Sequence, residues 1–163
     1  MPDTSLEFVN VLAALHSAGA RYVLIGGLAM VSHGSAYITQ DIDIFFARDQ
    51  ENREAVVRAL SPYHPHLRGA PEDIPFFFDA RALRDIMALT LTTDMGAVDI
   101  MSEVAGAESF DAVWQRSVEM EIADVPVHVC SLDDLIAMKR AANRPKDQLH
   151  VMELEALQRL LHP

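Results

Sequence analysis

Between residues 41 and 46 the chain reads Asp-Ile-Asp-Ile-Phe-Phe, and this alternation constrains the fold more than any other stretch. Successive side chains of a strand point to opposite faces, so Asp41 and Asp43 share one face while Ile42 and Ile44 share the other. The isoleucine face must lie on a core, which puts two carboxylates side by side beside it. Unpaired, they repel and resist desolvation, at a cost of several kcal/mol, or one of them keeps a proton. A divalent cation removes the conflict. Hard oxygen ligands of this kind suit Mg²⁺, which takes one or two protein carboxylates and completes its shell with water and substrate phosphates.

Upstream, residues 22–25 (Tyr-Val-Leu-Ile) form a short strand that ends at Gly26-Gly27, where an apolar helical pattern begins. Two residues without side chains let a ligand approach the backbone, and the free N–H groups of a starting helix favour an anion. A nucleoside triphosphate carrying a metal ion fits both halves of the segment.

The chain has 163 residues, which predicts one domain over 1–163, with a core over about 20–130 and C-terminal helices over about 131–161. Its apolar runs are short and interrupted, so no membrane span is expected, and the acidic start Met1-Pro2-Asp3 does not resemble a signal peptide; a cytoplasmic protein is the expectation. The single cysteine, Cys130, sits in an apolar run and reads as a core residue. Thirteen basic against twenty-four acidic side chains give a net charge of −11, which opposes generic nucleic-acid binding. A local basic group does exist at Lys139, Arg140, Arg144 and Lys146. It reads equally as a solvated helix end or as a phosphate contact.

In chain order, residues 4–18 form an amphipathic helix with a capping box Thr4-x-x-Glu7, a stripe of Leu6, Val9, Leu12 and Ala13, and a stop at Gly19. Asp49 caps a helix running to Leu60, with Ala55, Val56, Ala59 and Leu60 inward. Residues 61–75, rich in proline, read as a long surface loop in which His64 and His66 are solvated rather than metal-binding; Phe76-Phe77-Phe78 reads as core. Residues 88–92 and 97–101 are two strands joined by a turn with Gly96. Asp99 stands in an otherwise apolar strand and, with Asp41 and Asp43 already paired, reads as the third carboxylate of one site. A short helix over 110–116 carries Trp114, two strands flank Ala123-Asp124, and Ser131 caps a helix that brings Lys139 to the rim of the site. Pro145 opens the last helix, with Leu149, Met152, Ala156, Leu157 and Leu160 as its buried stripe.

The Gly26-Gly27 turn, the Asp41-x-Asp43 pair, Asp99 on a later strand and the segment LIAMKRAANRPKD at 135–147 together resemble the nucleotidyltransferase superfamily, with its DNA polymerase beta-like fold. The branch they resemble is the small abortive-infection toxin-like (AbiEii-type) one. The resemblance implies an α/β (α+β) fold, a mixed sheet flanked by helices with a short C-terminal helical segment. It also implies transfer of a nucleoside monophosphate from an NTP to an acceptor hydroxyl. On this resemblance Asp41, Asp43 and Asp99 are the catalytic and metal-binding residues for Mg²⁺ (or Mn²⁺), and Asp99 is also a general base. Gly26, Gly27, Ser35, Thr39, Lys139, Arg144 and Lys146 are the nucleotide-binding ones, and His33 fixes the loop that follows the glycine helix. One position departs from the pattern: relatives carry an arginine where this chain has Tyr37.

The acceptor stays open among an RNA end, a protein and a small molecule. A toxin–antitoxin component, with a cognate partner protein, is the first reading. An aminoglycoside-type antibiotic nucleotidyltransferase is an alternative, favoured by the acidic charge, since such substrates are cationic. A non-catalytic module that binds a nucleotide or a partner is the third, motivated by Tyr37. Methionine-rich and aromatic surface is compatible with a homodimer.

Overall fold

The computed structural model describes residues 4–163, with side chains from residue 7 onward. Helix α1 (Thr4–Ser17) leads into β1 (Tyr22–Ile25), α2 (Gly26–Ser32), β2 (Asp41–Phe46) and α3 (Gln50–Leu60). A short 3₁₀ turn (Ser61–Tyr63) follows, then β3 (His66–Leu67), β4 (Ala88–Thr93), β5 (Gly96–Met101), α4 (Phe110–Arg116), β6 (Val118–Ile122), β7 (Val125–Val129), α5 (Leu132–Ala142) and α6 (Pro145–Leu161). The strands form one mixed seven-stranded sheet in the order β3-β4-β5-β2-β1-β7-β6. The β2–β5 and β1–β7 pairs are parallel and the others antiparallel. No described helix is long and apolar enough to cross a membrane.

Alternation along β2 does what the sequence demands. Ile42, Ile44 and Phe46 are fully buried, while Asp41 and Asp43 remain partly open. Val98 and Ile100 of β5 continue the apolar face, and α1 and α3, which pack on each other, close it. Asp49 caps α3 by accepting from the Asn52 backbone N–H at 3.0 Å, and Asn52 in turn bonds the backbone of Arg21 and Ala47, locking α3 to the ends of β1 and β2. Such a cap is worth about 1 kcal/mol.

Several expectations change. The capping box at Thr4 and the place of Leu6 in the first stripe lie outside the described residues. The described inward face of α1 is Phe8, Val11, Leu12 and Leu15, with Val9 and Ala13 on its flanks. The loop over 61–75 contains the two-residue strand β3, paired with β4 through His66↔Thr92 and Leu67↔Leu91. Phe76 and Phe78 pack on the core, but Phe77 is exposed. The largest difference is in α6. Leu149 and Leu160, expected inside, are 68% and 77% exposed, and Met152 is exposed with them. The face that packs inward instead carries Asp147, His150 and Leu154, because this helix serves the polar site described next as well as the core.

Candidate active site

Parallel pairing of β2 with β5 sets Asp43 opposite Asp99 and Asp41 opposite Ala97. The three acids therefore project from neighbouring strands on one face, and each offers an oxygen within 4.8 Å of the others. Like charges this close cannot all ionise cheaply. Burial, reinforced by the charges of Asp41 and Asp99 and a hydrogen bond with Asp99, raises the Asp43 carboxyl to about 7, against the opposing pull of Lys139. An oxygen-only donor set with excess negative charge suits a hard divalent cation such as Mg²⁺ or Mn²⁺.

Asp43 and Asp99 open onto a cleft of about 330 Å³ whose walls also include Gly26, Glu103, Lys139 and Arg144; Asp41 lies outside its lining. Apolar side chains of Leu89, Met101, Leu135 and Met138 also line it. A larger hollow of about 920 Å³ lies beyond the segment 103–105, but none of the three carboxylates lines it.

Both glycines have a steric reason. Gly26 has φ +70°, and a Cβ there would sit 2.1 Å from Asp43 Oδ2, so only glycine lets the turn close over the acid. Gly27 is needed for a different neighbour: a Cβ would stand 2.8 Å from Thr39 Oγ1 and from the Tyr37 ring, so this residue makes room for the loop over 33–40 rather than lining the cleft. Thr39 is buried in that loop, and its hydroxyl donates to the backbone oxygen of Asp41 at 3.1 Å and to Oδ1 at 3.2 Å, fixing the first acid. Ser35, expected at the phosphates, is buried. Its hydroxyl donates to Glu153 at 2.7 Å and accepts from the Tyr37 N–H at 3.0 Å, so it anchors the loop to α6 and does not line the cleft. The His33 ring nitrogen Nε2 bonds the Cys130 carbonyl at 2.7 Å, holding the end of α2 to the end of β7.

The basic segment divides. Lys139 and Arg144 line the cleft; Arg140 turns away to pair with Glu155, and Lys146 is exposed outside the lining. What holds the first two is Asp147, which the sequence reading passed over. It is fully buried, accepts from Arg144 Nε at 2.6 Å and the Arg144 backbone N–H at 3.1 Å, and lies 3.5 Å from Lys139 Nζ. Burial alone would raise its pKa. The Arg144 hydrogen bonds and the charges of Lys139 and Arg144 outweigh that and bring it to about 2. The bond of Asp147 to the Arg144 backbone N–H is one half of a capping box, but Arg-Pro-Lys-Asp lacks the Ser/Thr-x-x-Glu pattern by which a sequence announces one.

Two more residues went unread. His150 is buried against Tyr37, ring centroids 4.7 Å apart and edge-on, and burial followed by the Lys139 charge lowers its pKa. Arg68, just beyond β3, reaches across β4 to Asp99 at 2.6 Å. No sequence spacing announces that contact, because Arg68 lies in the proline-rich stretch and meets Asp99 only through strand pairing.

The model of the aminoglycoside-2''-adenylyltransferase family matches residues 7–153. No curated protein matches the chain. Among solved structures, the lincosamide antibiotic adenylyltransferase LnuA in its lincomycin-bound form is similar at 18% identity and a TM-score of 0.61, over 93% of this chain and 96% of that one. ANT(2'')-Ia in complex with adenylyl-2''-tobramycin is similar at 16% identity and a TM-score of 0.58, over 96% and 93%. The solution structure of the antibiotic-resistance factor ANT(2'')-Ia aligns at 17% identity and a TM-score of 0.56, over 92% and 80%. At these identities the likeness establishes the fold, a mixed sheet flanked by helices.

Proposed function

Because the chain belongs to the aminoglycoside-2''-adenylyltransferase family and is a nucleotidyltransferase, we propose that it moves the adenylyl group of ATP onto a hydroxyl of a cationic, aminoglycoside-like antibiotic. The observation that carries this reading is the clustering of Asp41, Asp43 and Asp99, the last two of which line one cleft with Lys139 and Arg144. The family match, rather than the site geometry, favours the drug-modifying alternative over the RNA-end and protein acceptors. The comparisons carry nothing toward the abortive-infection branch or a toxin–antitoxin role.

In this reading Asp41, Asp43 and Asp99 hold Mg²⁺ or Mn²⁺. When bound, the cation supplies Lewis-acid polarisation of the α-phosphate and neutralises charge on the leaving group. Lys139 and Arg144, kept rigid by Asp147, take the triphosphate from the opposite wall, where a fixed cation costs no reorganisation. Thr39 keeps the Asp41 carboxylate in one orientation. Asp99 accepts the proton of the acceptor hydroxyl, whose oxygen bonds to the α-phosphorus as the bond to the β-phosphate oxygen breaks and pyrophosphate leaves. Glu103, at the cleft wall and paired through one oxygen with Arg48 at 3.1 Å, keeps its other oxygen for an ammonium group of the acceptor.

One observation favours a second acceptor class. The strip of Leu89, Met101, Leu135 and Met138 suits a less charged body of the lincosamide kind. Labelled ATP, Mg²⁺ and a panel containing tobramycin, other aminoglycosides and lincomycin decide between them. Labelled drug and pyrophosphate are expected, both abolished in the double variant Asp41→Asn, Asp43→Asn. Absence of labelled product across the panel would overturn the proposal.

A further inference from the structure

The three carboxylates need positive charge before any metal arrives, and the protein supplies it from an unexpected place. The Arg68 backbone N–H donates to the Thr90 carbonyl at 3.0 Å, extending the β3–β4 pairing by one residue. From there its side chain crosses β4, and Nη2 donates both to the Leu91 carbonyl at 2.8 Å and to Asp99 Oδ1 at 2.6 Å. The pair is half-buried, with the side chains 35% and 18% exposed, so water screens it less than a surface pair. The cation whose field reaches Asp43 is Lys139, but Asp147 already holds it. Among the described residues, Arg68 alone makes an ion pair with a member of the carboxylate triad.

We propose that Arg68 is a stand-in cation: it occupies Asp99 in the metal-free enzyme and gives up that oxygen when metal and nucleotide arrive together. This inference rests on the reading of the three acids as the metal site. The electrostatics give it a direction. A divalent ion arriving alone must compete with a guanidinium already bonded to one of its three ligands and is repelled by its charge. An ion arriving with a triphosphate brings net negative charge, which offers the released guanidinium a bidentate anionic partner. Arg68 follows a two-residue edge strand, so its long side chain can change partner while the sheet stays intact. Metal binding thereby becomes conditional on nucleotide.

Calorimetric titration of Mn²⁺ into the full chain, alone and with a non-hydrolysable ATP analogue, tests this in wild type, Arg68→Gln and Arg68→Lys. The glutamine variant should bind Mn²⁺ alone about tenfold or more tightly than wild type, the lysine variant should stay near wild type, and the analogue should narrow the gap. Thermal melts of the metal-free proteins supply a second readout: Arg68→Gln should melt lower, and Mn²⁺ should raise it by more than it raises wild type. Equal Mn²⁺ affinity in all three without nucleotide would overturn the role of Arg68 and leave the metal site standing. No Mn²⁺ binding by any of them, with or without the analogue, would instead remove the metal site itself. A glutamine variant that melts lower but gains nothing extra from Mn²⁺ would mark Arg68 as a strand-pairing residue and overturn the proposal.

Discussion

Removing one carboxylate of the cluster should make the metal-free protein more stable. Asp43 ordinarily releases its proton near 3.8 and here holds it to about 7, through burial first and then the fields of Asp41 and Asp99. Between those two pH values the folded state binds more protons than the unfolded one, so stability falls as pH rises through this window and the loss is complete above about 7. At ~1.4 kcal/mol for each tenfold change, the ceiling on that loss is ~4 kcal/mol, and coupling to the neighbouring acids brings a realistic figure to about 2–4 kcal/mol. Asp43→Asn removes the charge while keeping the shape. In EDTA at pH 8 the variant should therefore unfold at higher urea than wild type, with a melting temperature raised by about 5–10 °C for a domain of this size. At pH 5 most of the advantage should vanish, since wild-type Asp43 is then protonated when folded. The measurement is urea unfolding at both pH values for both proteins, followed by Mn²⁺ addition, which should rescue wild type at pH 8 more than the variant. Parallel pH dependence of the two proteins, or a variant less stable than wild type at pH 8, would refute the argument that the acids are mutually destabilising.

Gly26→Ala forces a Cβ to within 2.1 Å of Asp43 Oδ2 at a backbone φ of +70°; a loss of about 1–3 kcal/mol in denaturant unfolding and near-complete loss of adenylyl transfer are expected. Asp147→Asn leaves Lys139 and Arg144 without their buried partner, so a stability loss of about 3 kcal/mol and a raised KM for ATP should appear together in unfolding and steady-state assays. Since the Asp147 pKa is lowered to about 2, its contribution is present above the ordinary 3.8 and disappears as pH falls through about 2, so the acid limb of wild-type unfolding should flatten in that variant. On α6, Leu154→Ala should cost about 2–5 kcal/mol in urea unfolding. The exposed Leu160→Lys should stay within about 0.5 kcal/mol, and a large loss there would contradict the orientation of the helix.

Where local rules and tertiary packing agree, the chain was legible. The alternation in 41–46, the Asp49 and Ser131 caps and the Gly96 turn each encode their element within a few residues, and each is found in place. The carboxylate cluster was legible for the same reason: an acid in an apolar strand has few explanations. Helix α6 was misread because Leu149, Met152 and Leu160 repeat with the period of a buried face, and periodicity alone cannot say which side meets the protein. Its true inner side holds Asp147 and His150, polar residues that a hydrophobic pattern ranks as exposed. Ser35 and Thr39 are assigned to the nucleotide by the resemblance alone, and in the structure Ser35 bonds Glu153 and Thr39 bonds Asp41. Arg68 was out of reach, since its partner is set by the pairing of β3, β4 and β5 and no local pattern encodes that pairing.

The Asp43↔Asp99 pairing in the parallel β2–β5 ladder has a consequence for how the enzyme comes into being. A slip of one residue between these strands would turn Asp99 toward Ile42 and Ile44 and bring Val98 or Ile100 out beside Asp43, leaving the Asp41–Asp43 pair without its third carboxylate. The three-carboxylate cluster is thus completed only when long-range alignment is achieved. A cation held by all three acids would favour the correctly aligned form over the others and so act as a thermodynamic proofreader of the fold.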